Sequence, residues 1–422
     1  MKRSSIIIAF LSTIVQFYDY ALFGLSAAAL TKAYMPNSTE SSGLLSFFVA
    51  LSAATLMRPI GSIIFGYIGD FRGRAIVLKT ACLLAAVSTI VIALLPSNAT
   101  IFSASCMMLC RMVFMMSMSG EGDGARIYVA ESIGAHREYL GNGLVTCCSQ
   151  IGALLASICW WIASHNLMPE YWWRVNFVLG GLAGLAIFAM RARLEESVEF
   201  ALERAPAKSQ ESQEPVVTAA PYDIVVSSAS KSTSIFLIAT IISGCIGGIY
   251  HFQIIFFGTY ISKMLGILQT EYAARISILA VLLYVVISPI SGYLADRFRA
   301  SWQSMIGLIL MILFSLIGAY CLFLDKFELL WFLFASAAMP LYSVPLQIML
   351  KRKMPISSRL RIFSLSHSIG SVIFSSSVPF ICSWIWYSTG FAWLPIIYVV
   401  VMCLTLLGCV IVSFADEGTT AR

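Results

Sequence analysis

Residues 58–74 read Arg58-Pro-Ile-Gly-Ser-Ile-Ile-Phe-Gly66-Tyr-Ile-Gly69-Asp70-Phe-Arg72-Gly73-Arg74. An apolar helix runs into a short turn carrying one acid, Asp70, and two bases, Arg72 and Arg74. A shortened echo, Gly292-Tyr-Leu-Ala-Asp296-Arg297-Phe-Arg299, occupies the corresponding place in the second half. Two related helix-turn-helix units in one very apolar chain point to a duplicated membrane bundle whose halves move against each other. That architecture implies a carrier.

Composition leads the same way. The 422 residues are 59% hydrophobic and only 11% charged, with a mean hydropathy of +0.86. A soluble domain carries about 25% charged residues, so this chain cannot cover a water-facing surface. Twelve apolar runs recur, near 5–31, 43–68, 75–95, 101–125, 140–163, 172–190, 234–262, 272–295, 303–324, 329–350, 362–386 and 392–414. A bilayer takes about 20 such residues per helix. The predicted fold class is an all-α membrane protein: twelve transmembrane helices in two pseudo-symmetric six-helix bundles. The bundles are expected at 1–200 and 234–422, joined by a cytoplasmic linker over 201–233 whose Ser, Ala, Gln, Glu and Pro cannot build a core. The first run is too long for a signal-peptide core and is expected to stay as helix 1.

An even number of spans puts both termini on one side. Loops on that side hold twenty Lys and Arg residues, and those opposite hold five. By the positive-inside rule the termini are cytoplasmic, in a bacterial-type inner membrane. The basic excess then needs no nucleic acid to explain it. Eleven cysteines all fall inside apolar runs, which argues against a disulfide framework. His136, His165, His251 and His367 are scattered without ligand spacing, so no metal is expected. With no nucleophile-base set and no cofactor loop, neither an enzyme nor a cofactor is expected. Trp160, Trp161, Trp172 and Trp173 read as an interfacial belt, and Pro289, Pro340, Pro345 and Pro379 as helix kinks.

Charges inside apolar helices cost a few kcal/mol each, so they face a cavity or a partner. Asp19 lies midway along helix 1 between Tyr18 and Tyr20, and Arg58 sits about 18 Å along helix 2 from Asp70 at the usual rise. Arg111, Glu121 and Asp123 follow in helix 4, and Gln16, Tyr250, His251 and Gln253 are polar positions in helices 1 and 7. Burial raises a carboxyl pKa and a nearby guanidinium lowers it. A side-switching cavity around Asp19 or Glu121 could therefore load and unload a proton, with Arg58 and Arg111 as counter-charges. The same arginines could instead fork onto a substrate carboxylate, or the charges could simply pair and fix the packing. Asp70 could bond the exposed amides at a neighbouring helix N-terminus, with Arg74 pairing to acids at adjacent helix ends.

Several stretches together resemble the metabolite:proton symporter family of the major facilitator superfamily. They are Phe17-Tyr18-Asp19-Tyr20, Arg58-Pro59-Ile60-Gly61, the run from Gly66 through Gly69 and Asp70 to Gly73 and Arg74, Arg111 with Ser119-Gly120-Glu121, Val129-Ala130-Glu131, Trp173-Arg174, and Leu194-Glu195-Glu196-Ser197. The second half matches mainly through Gly292 to Asp296 and Arg297. The chain departs from that family at Gln16, where Glu is usual, at Gly122 and Asp123, which add an acid, and at Ala300, where the second turn lacks its Gly-Arg ending. The resemblance implies that the loop after helix 2 holds the cytoplasmic side shut. It also implies proton-coupled uptake of a small polar metabolite, an organic acid or a zwitterion such as proline or betaine, by a monomer in the lipid bilayer. The alternatives are proton-linked efflux, disfavoured because the run 140–163 has no proline, and a membrane sensor, disfavoured by the lack of an output domain.

Overall fold

The computed structural model describes residues 3–34, 54–97, 100–163, 169, 171–191, 196–197, 200 and 222–414, which are helical apart from short turns and connections. The helices are α1 (Arg3–Leu25, continued as Ala27–Tyr34), α2 (Met57–Arg72), α3 (Arg74–Leu94), α4 (Ile101–Ile133), α5 (Glu138–Ala163) and α6 (Trp172–Met190). The second set is α7 (222–264), α8 (Thr270–Arg297), α9 (Ala300–Phe323), α10 (Leu329–Lys353), α11 (Ile356–Thr389) and α12 (Leu394–Phe414). Among the described residues, eleven spans are long and apolar enough to cross a membrane. The exception is α2, of whose apolar run residues 43–53 lie outside the described residues.

Two expectations need correction. The acid and bases do not sit in a loop: Asp70 and Arg72 close α2, Arg74 opens α3, and Gly73 alone turns the chain between them. Gly73 has φ +111°, a conformation that suits only glycine, and a Cβ there would run into the Glu196 carboxylate. Of the expected linker 201–233, residues 222–233 are helical and run on into the rest of α7. The remainder, 201–221, lies outside the described residues. Trp173 leaves the expected belt as well: it is buried, edge-on to Tyr34 and Phe177.

In lipid every backbone polar group must be satisfied within the protein, which dictates helices. Large apolar side chains such as Ile63, Leu94, Phe102, Trp161 and Val412 are more than half exposed on the outside of the bundle. Packing repeats with an offset of six helices. In the first set α1 packs on α5 and α6, α3 on α4 and α6, and α2 on α4; in the second α7 packs on α11 and α12, α9 on α10 and α12, and α8 on α10. These are two copies of one six-helix lobe. They meet mainly along two seams, α2 with α11 and α5 with α8, which the same offset interchanges.

Glycines set how closely these seams approach. A Cβ on Gly66 would lie 2.7 Å from the Arg361 Cα of the opposite lobe, and one on Gly292 would lie 2.8 Å from the Leu140 Cα. Three helices also carry π-turns: α4 at Ser119–Asp123, α7 at His251–Phe256 and Tyr260–Met264, and α11 at Ser371–Ser375. Such bulges re-aim side chains and gather at functional sites. Here they hold Glu121, Asp123, His251 and Gln253.

Candidate functional site

At the end of the bundle where α2 meets α11, the Asp70 carboxylate accepts from the backbone N–H of Leu360 (3.2 Å) and Arg361 (3.1 Å). Those amides belong to the first turn after the α11 start, whose N–H groups have no helical partner. The second seam repeats the device: Asp296 accepts from Tyr139 N–H (3.1 Å) and Leu140 N–H (2.9 Å) at the start of α5. Each lobe thus caps a helix of the other with a carboxylate, the two caps interchanged by the same six-helix offset. Around the first cap, Arg74 pairs with Asp70 (3.2 Å) and Glu131 (3.3 Å) and donates to the Gly69 and Ile356 carbonyls, both at 2.7 Å.

A second pair of bridges flanks the caps with its polarity inverted. Glu131 of α4 takes Arg359 of α11 at 2.9 Å, while Lys351 and Arg352 of α10 reach Glu138 of α5 at 3.4 Å. Of the residues the sequence assigns to gating, Gly66, Gly69, Asp70, Gly73, Arg74 and Asp296 all stand at this end. Arg297 does not take the role of Arg74; it is exposed and stacks over its own helix neighbour Tyr293 at 4.6 Å.

The intramembrane charges divide into two groups. Inside the first lobe, Glu121 is gripped by Arg191 at 2.6 and 2.5 Å and also accepts the Ser12 hydroxyl, with both charged side chains fully buried. Its counter-charge is therefore Arg191, which the sequence places in a loop, and neither Arg58 nor Arg111. Asp19 is 3% exposed, between α1, α3 and α6; one oxygen accepts from Thr89 at 3.2 Å and the other has no partner. Arg111 lies within electrostatic reach of it, donates to the Tyr20 carbonyl at 3.3 Å and stacks over Phe23 and Phe114. Gln16 is buried with neither amide atom bonded, its oxygen 3.5 Å from where a Cβ on Gly122 would stand. Tyr18 bonds the Asn176 carbonyl within the lobe at 3.1 Å.

The other group lies at the seam. Asp123, 2% exposed in the α4 π-turn, is bonded to Nδ1 of His367 on α11 at 2.6 Å. Arg58 and Arg126 lie within electrostatic reach of Asp123, and Arg58 also reaches the Ser371 hydroxyl across the seam at 3.4 Å. Nearby hydroxyls knit α2 to α11: Ser62 contacts Ser368 at 2.5 Å and the Ser364 carbonyl at 3.1 Å. Tyr250 of α7 donates to Gln150 of α5 at 2.9 Å, another bond between lobes. His251 turns back to the Gly247 carbonyl at 2.9 Å, and Gln253 donates to Ser336 and the Phe332 carbonyl inside the second lobe.

The structure therefore brings Arg58, Asp123 and Tyr250 to the seam and keeps Asp19, Arg111, Glu121, Gln16, Tyr18 and Gln253 within lobes. Sequence reasoning misses Arg126, Gln150 and the partnership of His367 with Asp123. Arg126 stands one residue past the end assigned to its apolar run, and its spacing of three from Asp123, one helical turn, is the signal that could have found it.

Comparison with known proteins agrees with this architecture. Residues 4–420 match the family model described as sugar (and other) transporter. A Staphylococcus haemolyticus protein named "Putative proline/betaine transporter" is 26% identical over 97% of this chain and 86% of its own length. The inner membrane metabolite transport protein YhjE of Escherichia coli is 24% identical over 92% of this chain and 89% of its own length. Among solved structures, the proton:xylose symporter XylE bound to 6-bromo-6-deoxy-D-glucose superposes with a TM-score of 0.78 at 16% identity, covering 98% of this chain and 95% of that one.

Proposed function

The chain belongs to the sugar (and other) transporter family of the major facilitator superfamily, and from that premise we propose that it takes up a small carboxylate-bearing metabolite, an organic acid or a zwitterion of the proline or betaine kind, together with protons. It is a transporter of small solutes, not an enzyme. The observation that carries the substrate class is the seam cluster of Arg58, Arg126, Asp123 and His367. Two guanidinium groups facing one carboxylate leave one positive charge to be met, and a substrate carboxylate meets it with charge-assisted hydrogen bonds worth roughly 1.5–3 kcal/mol each.

The lobes 1–200 and 234–422 then rock about the site as a monomer, with 201–233 as their cytoplasmic connection and both termini in the cytoplasm of a bacterial inner membrane. The carboxylate caps of Asp70 and Asp296 hold the cytoplasmic side shut and break when the substrate is released inward. Asp19 carries the coupled proton: its carboxyl is buried, one oxygen is unbonded, and Arg111 alone offers it positive charge among the neighbours it senses.

Uptake into proteoliposomes, run with carboxylates, amino acids and betaines under an imposed proton gradient, tests both parts. Uptake that ignores the gradient defeats the coupling. Asp19→Asn is expected to abolish gradient-driven accumulation while leaving substrate exchange at equal pH. Accumulation at the wild-type level in that variant would reject its role.

A further inference from the structure

Asp123 has two sets of partners within reach, and they sit on different lobes. Its Oδ1 is bonded to His367 of the second lobe at 2.6 Å, while its buried Oδ2 has no hydrogen-bond partner. Arg58 of α2 and Arg126 of its own α4 lie within electrostatic reach, and the Nε of each arginine is likewise buried without a partner. Tyr284 of α8 faces Arg126 and is tied to Ser343 at 3.0 Å. Arg58, Arg126 and Asp123 travel on one lobe and His367 on the other. Separating the lobes removes the imidazole from Asp123 and leaves the carboxylate with the two arginines.

We propose that Asp123 is an internal competitor for the carboxylate of the substrate. While the lobes are closed over the Asp70 and Asp296 caps, His367 holds Asp123 aside and leaves Arg58 and Arg126 to the incoming carboxylate. When the lobes part at that end, Asp123 loses His367, turns onto the arginines and displaces the substrate. Binding in one state and release in the other then follow from a single carboxylate changing partners.

This inference rests on the carboxylate reading of the site. The test measures binding of proline, glycine betaine and succinate to the purified full-length protein, alongside net uptake in proteoliposomes. Asp123→Asn is expected to bind whichever of these the wild type binds about tenfold more tightly, while net uptake falls at least tenfold. A side chain that merely holds substrate, or merely holds the fold, gives the opposite sign in binding. His367→Gln frees Asp123 to occupy the arginines in every state and is expected to weaken binding about tenfold. Binding by Asp123→Asn that is unchanged or weaker, with the wild type binding normally, overturns the inference alone. If Asp123→Asn does not fold, His367→Gln decides, and binding equal to or tighter than wild type overturns it. If none of the three probes binds the wild type, the carboxylate reading falls and takes the inference with it.

Discussion

Glu121 and Arg191 illustrate what one residue's surroundings decide. Taking a charge out of water costs several kcal/mol, repaid only when geometry and further hydrogen bonds are good. Here the fork of Arg191 at 2.6 and 2.5 Å, with the Ser12 hydroxyl and the Leu78 carbonyl, supplies them. Removing one partner strands the other. Glu121→Gln is expected to destabilise the protein by about 3–5 kcal/mol, read as a large drop in the thermal unfolding midpoint in detergent. Asp19→Asn, which removes a carboxylate hydrogen-bonded only to Thr89, with Arg111 near but not bonded to it, should leave that midpoint within a few degrees of wild type. A small loss in Glu121→Gln would mean that the pair is dispensable to the fold. Asp19 and Glu121 look alike in sequence, two acids in apolar helices; Arg191 distinguishes them, and it comes from a helix end 70 residues away. Spacing along one helix carries no information about such a partner.

At the scale of the element, the two caps were readable because their parts are local: an acid ending an apolar helix, glycines one turn earlier, and a repeat of both in the second half. What the sequence hides is that Asp70 and Arg72 stay helical. Apolar periodicity ends where charges begin, but α2 continues because Asp70 in its last turn is buried and caps α11. The same effect hides Arg126 in α4 and Lys351 in α10, both of which read as loop charges. Ser364 and Ser368, one turn apart on α11, bond Ser62 of α2, and their small size lets the helices touch. Each cap comprises two charge-assisted hydrogen bonds, so Asp70→Asn or Asp296→Asn should each shift the balance between closed and open states of the capped end by roughly 1.5–3 kcal/mol, about tenfold to a hundredfold. The double variant should show the sum, since the caps lie on different seams and share no partner. Thiol accessibility at a cysteine introduced beside Arg361 reports this opening. Unaltered accessibility in both single variants would show that the caps do not hold the gate.

For the whole molecule, the packing of α1–α6 recurs in α7–α12 although little of the first-half motif survives in the second. Packing tolerates sequence change as long as small residues remain at the crossings, which is why the duplication is plainer in the helix contacts than in the residues. The inverted bridges, Glu131 with Arg359 and Glu138 with Lys351 and Arg352, arise from that duplication but have exchanged signs, so no repeat search would pair them. Alternating access requires these seams to open in every cycle. Gly66 and Arg361 give a direct test, because a Cβ on Gly66 would stand 3.1 Å from the Arg361 Cβ, close to the roughly 3.8 Å separation of a disulfide. The pair Gly66→Cys and Arg361→Cys, with Cys at no other accessible position, should cross-link under mild oxidation after a slight parting of α2 and α11. The bond would fasten the lobes at the end closed by the Asp70 and Asp296 caps. Net uptake and exchange should both stop on oxidation and return on reduction, whereas each single variant should show no redox dependence. Substrate binding from the outer face should survive the cross-link, since that state is the closed-cap one. Transport that continues in the oxidised double variant would show that the lobes need not part along this seam, and the rocking mechanism would fall.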